Sequence, residues 1–126
     1  MDLPIPGNVN AVDRFQRAAY YKAVLREPKT ERQAVAGVLA IARNVSVPFD
    51  APYHGFGVYN TEYLTVLNLT NKCYYFQLTD QPNVIWADLS KFDLKKGAPV
   101  MVLDPHDSEL SGNVSGKFRK AQKVPF

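Results

Sequence analysis

The hydrophobic period of this chain changes at Pro48, and that change constrains the fold most. Before it, apolar residues recur at helical spacing. After it they fall into short runs rich in β-branched and aromatic residues, parted by turn residues. Helix, helix, then strands is the order of an α+β layer pair.

The first helix is expected to start at Asn10, an N-cap residue, with Asp13 near the positive end of the helix dipole. Val12, Phe15, Ala19 and Ala23 form its apolar stripe. It should run to about Arg26, because Glu27 precedes Pro28 and a residue before proline avoids the α region. Pro4, Pro6 and Gly7 make the segment before it extended and turn-like. Thr30 and Gln33 fit a capping box for a second helix, with Gln33 reaching back to the cap. Val35, Val38, Leu39 and Ala42 follow at helical spacing among small residues, which predicts burial on more than one side. The short connection predicts an antiparallel pair.

Residues 48–60 read as a structured loop. Strands are expected over 62–69, 73–78 and 83–89, joined by links short enough for hairpins, with a further short strand at Val100 to Leu103. Tyr74, Phe76 and Leu78 would share one face, and Cys73, Tyr75 and Gln77 the other. Ile85, Ala87 and Leu89 oppose Val84 and Trp86. Both faces carry bulky apolar groups, so the antiparallel meander needs cover on both sides. Two helices account for one.

Apolar content of 46% and charge of 21% mark a globular chain, and 126 residues suffice for one domain. No apolar run reaches the roughly 20 residues of a membrane span. The N-terminus lacks the pattern of a signal peptide. The net charge of +3 sits in the last ten residues, where Lys117, Arg119, Lys120 and Lys123 meet no acid and leave −1 for the rest. The sequence pI of about 9.0 is therefore a property of the tail. A solvated or partner-packed extension fits residues 105–126 better than a nucleic-acid arm.

Sites for chemistry are few. Phosphate-loop, dinucleotide, zinc and Ser-His-Asp signatures are absent from the sequence. No metal or cofactor is expected. His54 and His106 read as surface residues, and the sequons at Asn44, Asn68 and Asn113 as chance matches. Cys73, the single cysteine, excludes an intrachain disulfide and reads as a buried thiol, with only Lys72 near in sequence to activate it. Arg14 and Arg17 lie three apart and share a helix face, with Tyr21 a turn further. One reading pairs them with acids on an exposed face. The other makes Arg17 a fixed cation beside developing negative charge.

Leu3-Pro4-Ile5-Pro6-Gly7-Asn8 followed by Asp13-Arg14-Phe15-Gln16-Arg17-Ala18-Ala19-Tyr20 resembles the "LPGD…SRFVRAAF" segment of choloylglycine hydrolases and penicillin V acylases. Ala36 to Pro48 resembles the family's "FHILSSVxxPxG" helix end, and Tyr59 to Tyr75 its "YTIYSS…YYY" strands. Asn83 to Asp88 resembles "SQITAVDM", and the likeness extends to about residue 104. The resemblance implies the αββα N-terminal-nucleophile fold, here its C-terminal portion, with two antiparallel helices packed on the meander. It implies residues 1–104 as that part of the domain and 105–126 as a basic extension. It also implies a hydrolase of linear amides, of the penicillin V, conjugated bile acid or N-acyl homoserine lactone type.

In that family a processed N-terminal Cys attacks the amide with its own α-amino group as base. The second arginine of the R-F-x-R motif contributes to the site. By resemblance that residue is Arg17, with Arg14 supporting. Met1-Asp2 is not such a Cys, and the chain carries no nucleophile of this kind. A truncated gene or a C-terminal piece of a longer hydrolase is expected, inactive alone. Its partner would be the N-terminal half or a second copy, and its substrate a small amide when complete, with no nucleic acid or membrane. The alternative is a binding or regulatory remnant of the fold. Localisation stays open, periplasmic if the complete protein has a signal peptide and cytoplasmic otherwise.

Overall fold

Asn10 starts the first helix with its side chain. Its Oδ1 accepts from the Asp13 amide at 2.8 Å, and helix α1 runs Ala11–Val24. The computed structural model describes residues 7–53, 55 and 57–122. The expectations for Pro4, Pro6 and His54 lie outside these residues. Leu25 caps α1 in extended conformation, two residues before Glu27. Thr30 caps helix α2, Glu31–Asn44, by accepting from the Gln33 amide at 3.2 Å. Gln33 does not reach back to the cap. Its Oε1 accepts from the Lys29 amide at 2.8 Å, one residue earlier.

The chain forms two units, residues 1–64 and 65–126. In the first, α1 and α2 pack together. Leu25 lies over Gly37, where a Cβ would meet its Cδ1 at 3.4 Å. The half-buried side of α1 carries Asp13, Arg14, Arg17, Ala18 and Tyr21. The expected stripe faces away: Val12 is 65% and Phe15 72% exposed, and no residue of α1 is buried. On α2 Leu39 is fully buried, with Ala34, Val35, Gly37, Ile41 and Ala42 half-buried around the helix. Two short strands, β1 (Pro52–Tyr53) and β2 (Gly57–Val58), pair antiparallel in the loop.

In the second unit, strands β3 (Tyr63–Asn68), β4 (Cys73–Leu78) and β5 (Ile85–Asp88) lie side by side in chain order. The unit boundary falls inside β3. β4 and β5 are antiparallel, with Tyr74 opposite Ala87 and Phe76 opposite Ile85. Tyr74, Phe76, Ile85 and Ala87 therefore share a face, as the alternation predicts. Tyr75 and Trp86 are also opposite, on the other face, with ring centroids 5.5 Å apart. The fourth short strand, β6, is Met101–Val102.

The sheet is not purely antiparallel. Strand β7 (Gly112–Asn113) joins β5 in parallel, and β8 (Arg119–Lys120) pairs with β6. Residues 103–118 supply cover that the sequence did not assign. Leu110 and Val114, 5% and 1% exposed, form the core with Ile85, and Phe76, Leu103 and Phe118 pack against them. Amide side chains pin this segment. Asn83 Nδ2 donates to the carbonyls of Ser108 and Leu110, and Gln81 Nε2 to that of His106. The amides of Gly112 and Val114 donate to the Val84 and Trp86 carbonyls. Ser115 Oγ accepts from the Asp88 amide at 2.8 Å.

Three stability measurements follow from this packing. Leu110→Ala should cost about 2–5 kcal/mol in chemical denaturation, the range for a buried leucine truncated in a packed core. Leu94→Ala, at a 74% exposed position, should change stability by under about 0.5 kcal/mol. Gly37→Ala should stabilise the chain by about 0.5–1 kcal/mol. Alanine is the better helix former, and its methyl meets Leu25 at ordinary contact distance. A lower melting temperature for Gly37→Ala would show that Leu25 cannot yield there.

Candidate active site

The candidate site is built on α1. Arg14 and Arg17, one turn apart, lie on its half-buried side. Both guanidinium groups bind backbone oxygen. Arg14 Nε donates to the Val45 carbonyl at 2.6 Å, and Arg17 Nη1 to the Asn8 carbonyl at 2.8 Å. Val45 is the C-cap residue of α2. A cation at that end meets the negative pole of the helix dipole. Arg17 instead ties down the segment that enters α1. Ion pairing with acids, the surface reading of these arginines, is not what these two bonds show. Charge-assisted bonds to carbonyls hold each side chain in one direction.

Around residue 45 the chain turns sharply. Ser46 Oγ donates to the Ala42 carbonyl at 2.8 Å, and the Ser46 amide to that of Arg43. Val47 exchanges two bonds with Thr61: its amide donates to Thr61 Oγ1 at 2.9 Å, and its carbonyl accepts from the Thr61 amide at 3.2 Å. Sequence reasoning missed Thr61 and Ser46. A short polar residue after a helix is common, and nothing in its spacing names its partner.

Cys73 opens β4 half-buried, and its partner across the ladder is Asp88. A carboxylate opposite a sulfur is the reverse of the positive surroundings that a thiolate nucleophile needs. The Asp88 carboxyl is itself held below the usual carboxylate range. The Ser90 hydroxyl donates to it at 2.6 Å and the Ser90 amide at 2.9 Å, with Lys91 nearby, and desolvation opposes them. His106 is exposed at a turn. Among the described residues, no group of three His, Cys, Asp or Glu side chains could hold a metal ion. No described helix is long and apolar enough to cross a membrane.

Comparison with known proteins gives a consistent result. The sequence profile of linear amide C-N hydrolases, choloylglycine hydrolase family, matches residues 1–109. The chain is 32% identical to a penicillin V acylase of Pectobacterium atrosepticum, over 97% of this chain and 37% of the relative. It superposes on the structure of penicillin V acylase from Agrobacterium tumefaciens with a TM-score of 0.82 and 31% identity, over 94% of this chain and 39% of that one. The chain thus spans well under half the length of either relative. Helices followed by a sheet, the R-F-Q-R segment on α1 and these three matches agree, and the chain belongs to the choloylglycine hydrolase family of linear amide C-N hydrolases.

Proposed function

We propose that this chain supplies the arginine-bearing helix pair and part of the sheet of a linear amide hydrolase, and that the 126 residues by themselves turn over no amide. One observation carries the reading. Nearly all of the chain matches a penicillin V acylase, yet it spans only 37% of that relative. Amide cleavage through a covalent intermediate needs a nucleophile paired with its base. The single cysteine, Cys73, opens a strand inside the chain, opposite Asp88, rather than a chain N-terminus with a free α-amino group. Arg17 is the cation that contributes to the site, its charge stabilising the reacting amide or orienting the nucleophile. The substrate is a small linear amide of the penicillin V, conjugated bile acid or N-acyl homoserine lactone type.

The partner in this reading is the remainder of such a hydrolase, or in its absence a second copy of the chain. The exposed Val12 and Phe15 support it, being apolar groups aligned on one side of α1.

The test assays the three amide types with the purified chain, alone and mixed with the N-terminal part of a penicillin V acylase. No turnover alone and measurable turnover in the mixture is the expected pair of results. Turnover by the chain alone, lost in Cys73→Ser, would sink the proposal. Absence of turnover in a mixture that demonstrably binds would favour a non-catalytic remnant. Light scattering on the chain alone should show self-association.

Arg17→Ala in the active mixture should lower turnover by about a hundred- to thousandfold, the equivalent of about 2.7–4 kcal/mol for one preorganised charge. A surface role would cost about 0–1 kcal/mol of stability and nothing in rate. Turnover and melting temperature measured together separate the two.

A further inference from the structure

We propose that Arg14 is a positioning residue: it fastens the start of α1 to the end of α2 and so sets the direction in which Arg17 presents its charge. The proposal rests on the reading above only for what Arg17 does. The geometry of the clamp stands on its own bonds.

Consider what else holds α1 in rotation. None of its fourteen residues is buried, and its apolar stripe faces away from α2. Apolar packing, the usual source of helix registration, is therefore thin on this element. Among the described residues, two attachments to α2 are specific in direction. Leu25, just past the C-terminal end, lies over Gly37 of α2. At the other end, Arg14 Nε donates to the Val45 carbonyl at 2.6 Å. In an antiparallel pair these are opposite ends of the same interface.

Arg17 lies nearer the second attachment. At 1.5 Å of rise per residue it is about 4.5 Å along the axis from Arg14 and about 12 Å from Leu25. With the Arg14 bond gone, the Leu25–Gly37 contact is far away, and a small roll of α1 becomes a large swing of a side chain as long as arginine. The bond is also well defined in direction. The planar guanidinium fixes Nε–H relative to its stem, which a lysine ammonium does not reproduce. The receiving carbonyl is equally fixed, because the bonds of Ser46 and Val47 lock the residues after it. Arg17 then holds the Asn8 carbonyl, so the entering segment inherits the same registration.

Hydrogen exchange read by mass spectrometry tests this on the full chain, and it does not depend on turnover. Three peptides matter: residues 7–10, which Arg17 holds, residues 45–47, which Arg14 holds, and a β4–β5 peptide as the control for global unfolding. Arg14→Gln should speed exchange in both of the first two by about tenfold, the factor that 1.4 kcal/mol represents, and leave the control unchanged. Arg17→Gln should speed residues 7–10 alone. Should Arg14→Gln raise exchange in the control peptide as well, Arg14→Lys, which keeps the charge without the Nε–H, takes its place with the same expected pattern. Faster exchange at 45–47 with residues 7–10 untouched would overturn the proposal and leave Arg14 a local ligand of the α2 terminus. Unchanged turnover in Arg17→Ala would instead sink the functional reading while the clamp stood.

Discussion

Residues 45–47 end α2 and reverse the chain, and the first unit depends on how they are held. A helix terminus leaves several carbonyls without intrahelical partners. Here they are taken up in sequence. Val45 donates to the Ile41 carbonyl, Ser46 covers those of Ala42 and Arg43, and the Val45 carbonyl receives Arg14 from α1. Val47, 3% exposed, then pairs on both sides with Thr61. Three parts of the chain converge on one short stretch. Without it α1 would keep its cap and its helical bonds but lose its main tie to the neighbouring helix.

The second unit solves its own difficulty in another way. A meander of aromatic and branched residues needs covering, and the cover is the polar-looking segment after residue 102. Its apolar residues are sparse but well placed: Leu103, Leu110, Val114 and Phe118. Sparse apolar contact would not hold an irregular segment by itself. The amides of Gln81 and Asn83, standing in the β4–β5 link, fix its backbone, and the two-residue parallel strand β7 completes the attachment. Gly112 makes that attachment feasible. Its φ of +69° suits glycine, whereas the space does not demand one, since a Cβ there would meet the Trp86 ring at an ordinary 3.7 Å.

What could be read in the sequence divides along the same physical line. Local signals were legible. Asn10 and Thr30 cap the helices they should, and Cys73–Leu78 is a strand at its expected bounds, because each depends on neighbours within a few residues. Signals that depend on distant partners were not. The stripe Val12, Phe15, Ala19, Ala23 identified a helix correctly but lies on its exposed side, while Arg14 on the other side binds the end of α2. Gln33 chose Lys29 over Thr30, a difference of one residue that no motif encodes. The role of 103–118 was hidden because a two-residue strand has no period to detect. For the candidate site, the R-F-Q-R segment drew attention to the half-buried face of α1, but the distinct partners of its two arginines depend on how the chain folds.

Those distinct partners explain why two arginines occur within one turn. A pair three residues apart on a helix places like charges on one face, an arrangement that is mildly destabilising when nothing separates them. The backbone separates them here. Arg14 binds the Val45 carbonyl at the end of α2, and Arg17 the Asn8 carbonyl before α1, so the two guanidinium groups are held at different backbone sites. The negative pole of α2 absorbs one charge, and the other is held at the Asn8 carbonyl on a helix whose apolar stripe faces outward. A helix that only needed to pack would present that stripe inward and its arginines to water. Turning them the other way exposes Val12 and Phe15, and the charge-assisted carbonyl bonds offset part of that cost.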